Sequence, residues 1–258
     1  MIRRSSQAAE LRGARVLVTG AAGGIGARTC AVLAGAGAVV LAADLEPDRI
    51  APGSEQRLAL DVTDDTSVAS VLARLGPLDA LVLSHGVTSL GPAVGTPMSA
   101  VDRVLEVNLR GTIAVTQAAL PGLVERRGRI AVLSSVSGFA PLVNRTAYSA
   151  SKHGLHGYFD SLRAELVDCG VSVTIVAPSF VATGIERRAA YRAVGPAGDW
   201  STTGEVLTPE DVAEAIVEGM ARRRALVLPS RTARAAYLLS RVAPGTYAWT
   251  MRRRVPGS

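Results

Sequence analysis

The amino-acid sequence predicts an α/β fold: a doubly wound parallel sheet of about seven strands, with helices on both faces, in a single domain. Two observations carry this prediction. Short runs that are nearly continuous in apolar residues, such as residues 15–20 and 171–178, alternate with longer helical patterns, and parallel strands covered on both faces have this composition. A glycine-rich turn also joins the first apolar run to the first helical pattern. The length of 258 residues is acceptable for one α/β domain.

The strands are predicted, in chain order, at RVLVTG, AVVLAAD, RLALDV, LDALVLSHG, GRIAVLSS, VSVTIVAP and ALVLPS. Helices are predicted after the glycine-rich turn, at DDTSVASVLARL, over about 97–126 and over about 148–169. Another helix begins after Thr208, an N-cap residue that is followed by proline and by acidic residues in the first turn. Except between the second and third strands, a helix is predicted between consecutive strands, as is typical of a doubly wound sheet.

The remaining segments define the domain boundaries. Residues 183–207 are rich in Gly, Arg, Ser and Thr with little periodicity, which predicts a lid loop. We expect an N-terminal tail over 1–10, the main domain over 11–229 and a basic helical extension over 230–258.

Composition excludes several classes of protein. Hydrophobic residues make up 48% of the chain, so it is not a disordered protein. Cys30 and Cys169 are too far apart in sequence for a metal motif, so no metal is expected, and two reduced thiols favour a cytoplasmic location. We predict neither a signal peptide nor a membrane-spanning segment.

The charge distribution is uneven along the chain. Nine arginines and no acidic residue lie from Gly219 onwards, and the formal net charge of +6 therefore leaves the preceding part at −3. Because the excess is confined to a tail, nucleic-acid binding is not expected.

The turn VTGAAGGIGA places Gly20, Gly24, Ile25 and Gly26 between the first strand and the first helix. Glycines there let the backbone approach a pyrophosphate at the N-terminus of the helix, which predicts a Rossmann-type dinucleotide site. The alternative is a tight turn that needs glycine for its own geometry.

Asp44 ends the second predicted strand. A carboxylate at this position accepts hydrogen bonds from the adenosine ribose and repels a 2′-phosphate. Since no basic residue stands at Gly23 or Leu45, we expect NAD rather than NADP. The alternative is a solvated aspartate at the end of a strand.

Lys152 is the only lysine in the chain, and it follows Tyr148 by four residues in the stretch TAYSASKHG. The two side chains therefore share one helix face. A nearby ammonium lowers the pKa of a phenol and prepares it for general acid/base work. Unlike arginine, lysine is slim and able to relay a proton. The alternative is a chance pair on a solvated face.

With these residues, the sequence from about 11 to 222 resembles the short-chain dehydrogenases/reductases of about 250 residues. The motifs that carry the resemblance are Thr19-Gly20-x3-Gly24-x-Gly26, Asp61-Val62, Asn108, Ser135, Tyr148-x3-Lys152 and Pro178-x4-Thr183.

The resemblance implies a role for each matched residue. Tyr148 would be the general acid/base, Ser135 would stabilise the reacting oxygen, and Lys152 would bind the nicotinamide ribose and lower the pKa of Tyr148. Asn108 would hold a water that links Lys152 to solvent. Four further positions would contact the cofactor: Asp61 and Val62 at the adenine, Thr183 at the carboxamide, and the retained Gly86.

Two stretches of the chain depart from the family pattern. The usual Asn-Asn-Ala-Gly after the fourth strand reads Leu83-Ser84-His85-Gly86, and Ser179 stands where glycine is usual. Leu83 cannot brace the sheet as asparagine would. His85 would either line the cofactor cleft or serve as a structural histidine.

Candidate substrate contacts are Ser137, Phe139, Val143 and Ser179, and they suggest a mostly apolar substrate. An arginine of the lid would either bind an anionic group or be solvated. The extension after residue 230 would pack over the pocket or against a sister subunit, and contact with an anionic membrane surface is the alternative. We expect an NAD-dependent oxidoreductase that interconverts a secondary alcohol and a ketone, as a homodimer or homotetramer. The alternatives are a non-catalytic dinucleotide sensor and a membrane-associated lipid or steroid dehydrogenase.

Overall fold

The computed structural model describes residues 9–193 and 204–253. Within them the strands are β1 (Arg15–Thr19), β2 (Val39–Asp44), β3 (Gln56–Ala59), β4 (Ala80–Leu83), β5 (Thr88–Leu90), β6 (Arg129–Leu133), β7 (Ser172–Val176), β8 (Phe180–Val181), β9 (Ala189–Arg192), β10 (Val206–Leu207) and β11 (Leu226–Val227). The helices are α1 (Gly24–Gly35), α2 (Asp65–Leu75), α3 (Met98–Leu105), α4 (Gly111–Glu125), α5 (Thr146–Glu165), α6 (Pro209–Ala221), α7 (Arg231–Val242) and α8 (Pro244–Arg252).

Seven parallel strands form the central sheet in the order β11-β7-β6-β4-β1-β2-β3. The chain runs outward from β1 to β3, then returns to place β4 on the other side of β1. Leu17 is accordingly paired with Leu41 on one side and with Leu81 on the other. The point where the strand order reverses is where open α/β sheets bind ligands, outside the carboxyl ends of the strands.

Two apolar cores cover the two faces of the sheet. Leu17 of β1 packs in one core with residues of α2, α4 and α5 such as Phe159, which is fully buried. Its neighbours Val16 and Val18 point into the other core, which contains Leu33 of α1 and much of α6. The predicted doubly wound parallel sheet is thereby confirmed.

The predicted long helix over 97–126 is interrupted. α3 and α4 are joined by one turn of π-helix, Glu106–Arg110, which contains the buried Asn108. A π-turn inserts an extra residue and often marks a functional site. Here it offsets Asn108 from regular helical geometry.

The predicted lid contains more regular structure than its sequence indicates. β9 pairs with β5, and β10 pairs with β8. The expectation of a continuous loop over 183–207 is therefore wrong at these strands, because edge pairing with other segments orders residues that lack periodicity of their own. Lid residues 194–203, tail residues 1–8 and the last five residues of the predicted extension lie outside the described residues.

α7 and α8 form the C-terminal extension. Ser230 accepts a hydrogen bond from the Ala233 amide and caps α7, and Pro244 begins α8. A small apolar cluster that includes Val136, Ala236 and Tyr247 joins both helices to the turn after β6. Among the described helices, none is both long and apolar enough to span a membrane.

Candidate active site

A cleft with a volume of about 1300 Å³ lies at the carboxyl edge of the sheet. Most of the residues predicted for cofactor, catalysis and substrate line it: Gly20, Gly24, Ile25, Gly26, Asp44, Asp61, Val62, Gly86, Ser135, Ser137, Val143, Tyr148, Lys152, Ser179 and Thr183. Two predicted residues do not. Asn108 lies behind the cleft wall, and Phe139 packs elsewhere.

The glycine-rich turn is shaped by close backbone approaches. Gly20 has φ of +71°, and a Cβ there would lie 2.6 Å from the Cα of His85. A Cβ on Gly26 would collide with the Gly20 carbonyl oxygen. Gly23 precedes α1 and gives no side-chain cap, so the first amides of the helix face the cleft without one. The turn therefore needs glycine for its own geometry, and pyrophosphate binding at the helix N-terminus stays a prediction.

Asp44 is buried and fixes the turn to the end of β2. Its carboxylate accepts hydrogen bonds from the amides of Ala22 (2.9 Å) and Glu46 (3.2 Å). Arg49, in the short helical turn that follows, also lines the cleft and pairs with Glu46 at 2.6 Å. The sequence analysis considered only the position next to Asp44, and so missed this cation.

Asp61 and Val62 form the next part of the cleft wall. Asp61 accepts hydrogen bonds from the hydroxyl (2.7 Å) and amide (2.9 Å) of Thr63, and these bonds lower the pKa of the carboxyl. Val62 packs against Gly111, where a Cβ would lie 2.8 Å from it. Together the two residues offer a fixed carboxylate beside an apolar contact.

Ser135 and Tyr148 meet across the cleft. Ser135 caps the short helical turn Val136–Gly138 and hydrogen-bonds the hydroxyl of Tyr148, in the first turn of α5. Burial raises the pKa of Tyr148, while the charge of Arg145 and the bond from Ser135 act in the opposite direction. The phenol is therefore protonated at neutral pH and ready to donate.

Lys152 lies beside this tyrosine and is almost fully buried. Its Nζ donates to the Leu133 carbonyl at 2.8 Å and lies 5.7 Å from the centre of the Tyr148 ring. Burial lowers the pKa of Lys152 to about 8, so the amine can both release and accept a proton near neutral pH. Burial is the largest influence on the Tyr148 pKa and Arg145 opposes it, and the lowering of this pKa by Lys152 stays a prediction.

The side-chain amide of Asn108 binds both backbone groups of Val87, beneath the cleft. Its amide accepts from the Val87 N–H at 2.8 Å and donates to the Val87 carbonyl at 2.9 Å. A Cβ on Gly86 would lie 3.1 Å from the Asn108 Oδ1 and 4.0 Å from the Lys152 Nζ. Asn108 thus positions the segment next to Lys152, and its role toward a bound water stays a prediction.

His85 combines the two roles that the sequence left open. The residue lines the cleft, and both ring nitrogens are engaged, Nδ1 with the Thr19 hydroxyl at 2.6 Å and Nε2 with the Thr112 hydroxyl at 3.0 Å. Burial lowers the pKa of His85 to about 3. The imidazole is therefore neutral in the folded protein.

Sequence reasoning missed Arg145. It is buried at 8% exposure, lines the cleft, and donates to the Thr88 hydroxyl at 3.3 Å. Burial lowers the pKa of Arg145, and the charges of Tyr148 and Glu186 oppose this effect. The only signal in the sequence is an arginine three residues before the tyrosine.

On the substrate side, the structure corrects one predicted contact. Phe139 is turned away from the cleft and packs edge-on against Tyr237 of α7 (5.1 Å between ring centres) and His156 (6.0 Å). Apolar contact with α7 determines its direction. Ser179 hydrogen-bonds Ser230 at 2.7 Å, so the serine that replaces glycine ties the cleft to the start of α7.

The C-terminal helices supply the outer wall of the cleft. The residues of α7 and α8 that line it are mostly apolar or small: Thr232, Ala235, Ala236, Leu239, Tyr247, Thr250 and Met251. Such a wall favours a substrate with an apolar body.

Fold and site together define a dinucleotide-dependent oxidoreductase, and comparisons with known proteins agree. A family model described as short chain dehydrogenase matches residues 14–192. The chain belongs to this family, which uses a nicotinamide dinucleotide, and the predicted resemblance is confirmed.

Several relatives resemble the chain over most of its length. A protein named dehydrogenase/reductase SDR family protein 7-like from Anopheles gambiae is 33% identical, over 98% of this chain and 87% of its own. One of the same name from Drosophila melanogaster is 31% identical, over 95% and 81%. A solved short chain dehydrogenase from Burkholderia cenocepacia, in complex with NADP, has a TM-score of 0.82 at 21% identity, over 93% of this chain and 98% of its own.

Proposed function

We propose that this protein interconverts a secondary alcohol and a ketone, with NAD as the preferred cofactor. The observation that carries the proposal is the cluster of Ser135, Tyr148 and Lys152 in the wall of one cleft. A protein that only senses a dinucleotide has no need of an acid/base group, whereas this cluster joins a hydrogen-bonded phenol to a buried amine.

In this proposal each side chain acts on the reacting oxygen or on the proton. Tyr148 donates its hydroxyl proton to a ketone oxygen, or accepts the proton of an alcohol. Ser135 hydrogen-bonds the same oxygen and stabilises its developing charge. Lys152, with its pKa of about 8, returns a proton to Tyr148. A bound nicotinamide supplies or accepts the hydride.

The preference for NAD rests on Asp44. Its buried carboxylate lies in the cleft wall at the end of β2, where negative charge disfavours a 2′-phosphate. Arg49 is the opposing feature, but its guanidinium is paired with Glu46. The NADP in the Burkholderia cenocepacia structure belongs to a protein only 21% identical.

The first test is an assay over a panel of hydrophobic secondary alcohols and ketones, each with NAD(H) and NADP(H). We expect turnover with NAD(H), and loss of that turnover in Tyr148→Phe. Cofactor binding by the wild-type protein without turnover on any member of the panel would favour a dinucleotide sensor instead.

A specific observation also favours contact with a membrane surface, the second candidate role. The outer faces of α7 and α8 expose Leu238, Val242 and Trp249. Among them stand exposed arginines, one of which, Arg253, lies 4.0 Å from the ring centre of Trp249. Amphipathic helices with this composition bind anionic lipid surfaces.

Sedimentation with vesicles tests this second role. Wild type should pellet with vesicles that contain anionic lipid and stay free with neutral ones, and Trp249→Ser should weaken the binding. If wild type fails to pellet at low salt, the membrane role is rejected.

We also propose a homodimer or homotetramer in a cytoplasmic setting. Cys30 and Cys169 are free, as expected in a reducing compartment. Light scattering of the purified chain measures the assembly, and a monomeric mass would contradict this proposal.

A further inference from the structure

A continuous chain of hydrogen bonds runs beneath the cleft, from the end of β1 toward the catalytic tyrosine. It begins at Thr19, whose hydroxyl oxygen lies 2.6 Å from His85 Nδ1. The other ring nitrogen lies 3.0 Å from the hydroxyl of Thr112 in α4. That hydroxyl donates to the Asn108 carbonyl at 2.8 Å. One imidazole therefore joins β1 to the π-turn.

The same chain continues from the π-turn to α5. The Asn108 amide donates to the Ser151 hydroxyl at 3.1 Å, and that hydroxyl donates to the Tyr148 carbonyl at 2.8 Å. Thr19, Thr112, Asn108 and Ser151 are each at most 3% exposed. Because hydrogen bonds are stronger where water is excluded, the chain forms a stiff connection.

The hydrogen bonds determine where the protons lie. Thr112 gives its one hydroxyl proton to the Asn108 carbonyl, so it accepts from His85, and the ring must carry its proton on Nε2. Nδ1 is then an acceptor, and the Thr19 hydroxyl donates to it rather than to the Val82 carbonyl, which is farther away at 3.4 Å.

We propose that His85, in the neutral Nε2–H form, is a positioning residue that couples the cofactor-binding turn to the Tyr148 helix. Gly20 follows Thr19 and opens the turn, and Tyr148 lies at the other end of the chain. The family pattern has alanine where this chain has His85, and alanine cannot join the two hydroxyls. The link is therefore absent from the usual family pattern.

The coupling matters because the phenol must meet the reacting oxygen in a narrow geometry. A displacement of about 1 Å costs about 100-fold in rate. His85 touches neither proton nor hydride in this scheme. It acts through Asn108 and Ser151, which hold the start of α5.

Two buried threonines in α4 provide a matched test. Thr112→Val removes the hydroxyl that His85 binds. Thr116→Val is the control, because the Thr116 hydroxyl is equally buried and donates to the Thr112 carbonyl at 2.7 Å, but does not contact His85. His85→Ala removes the bridge, and His85→Gln restores one acceptor and one donor.

The first part of the test measures kinetics, and it rests on the proposed function. We expect kcat to fall about tenfold in Thr112→Val and His85→Ala, with cofactor Kd changed by less than about threefold. His85→Gln should recover most of the loss, and the double variant His85→Ala/Thr112→Val should be no slower than either single one. Equal rates for Thr112→Val and Thr116→Val, or additive losses in the double variant, would overturn the proposal.

The second part of the test is spectroscopic and needs no turnover, so its result stands even if the proposed reaction is wrong. In ¹⁵N spectra of histidine-labelled protein, the signals absent from His85→Gln identify this ring. They should report a neutral Nε2–H imidazole between pH 5 and 9 that Thr112→Val perturbs and Thr116→Val leaves unchanged. An Nδ1–H ring, or titration near pH 6.5, overturns the assignment.

Discussion

The guanidinium of Arg145 acts on the phenol of Tyr148, three residues along the chain, and holds its pKa below the value that burial alone would give. Arg145 occupies the N-cap position of α5 and is itself buried. A buried cation this close to a general acid/base group sets the proton affinity of that group. The pH dependence of catalysis therefore depends on Arg145 as well as on Lys152.

Replacing Arg145 with leucine should shift the pH profile. Alcohol oxidation needs the phenolate, and without the cation the pKa of Tyr148 rises further. The rise of kcat/KM with pH should therefore move to higher pH in Arg145→Leu, while Arg145→Lys should shift it less. Profiles in the oxidation direction give the measurement, and identical profiles for wild type and Arg145→Leu would rule out this role.

Tyr148→Phe should abolish turnover and leave cofactor binding intact, because only the hydroxyl is removed. The expected loss in kcat is about 10²–10⁴-fold. Tyr158→Phe is the matched control, since Tyr158 lies on the same helix and its ring packs against the side of Phe159 at 5.1 Å between ring centres. Nucleotide fluorescence measures binding. If Tyr148→Phe retains activity, the proposed mechanism is contradicted.

Lys152→Arg should lose most activity although it keeps the charge. The Lys152 amine fits beneath the cleft and donates to the Leu133 carbonyl, and a planar guanidinium is bulkier and does not release its proton. Steady-state rates with a saturating cofactor provide the comparison. An active arginine variant would mean that positive charge alone suffices.

Stability should depend on pH through the same lysine. Its pKa is about 8 in the folded protein, against 10.5 for a lysine exposed to water, so the unfolded chain binds more protons between these values. The free energy of unfolding of wild type, relative to Lys152→Met, should therefore increase as pH rises from 8 to 10.5, by roughly 3 kcal/mol in total. Urea unfolding of both proteins at pH 7 and pH 10 measures this. A difference that stays constant with pH would show that folding does not lower the pKa of Lys152.

Asp44→Ala should narrow the preference for NAD over NADP by roughly tenfold, because it removes a negative charge near the ribose. Ratios of kcat/KM for the two cofactors give the result. Asp48→Ala, in the same segment but outside the cleft lining, is the control. If wild type already prefers NADP, the interpretation of Asp44 is wrong.

The sheet could be predicted from sequence because its strands are buried on both faces and are therefore apolar almost throughout. The pairing of Tyr148 with Lys152 could be predicted because helical spacing alone brings them to one face. The π-turn could not, since Glu106–Arg110 consists of residues that an ordinary helix accepts. Nor could the direction of Phe139, which depends on α7, a helix almost a hundred residues further along the chain.

The role of Arg145 could not be predicted from sequence for a different reason. It is one of 27 arginines, and nearly all arginines in proteins are exposed. What distinguishes this one is burial beside Thr88 and Tyr148, which results from tertiary packing. His85 likewise stood out as a departure from a motif, but its two threonine partners lie 66 and 27 residues away.

The outer wall of the cleft comes from α7 and α8, which follow the last strand of the sheet. The residues that handle the proton all precede this segment, and it is joined to them through contacts such as Ser179 with Ser230. The outer wall of the cleft and the residues that handle the proton are thus encoded in separate stretches of the gene. Exchanging residues 231–253 between relatives should change the substrate specificity and leave the reaction unchanged. This segment is therefore a natural target for directed evolution.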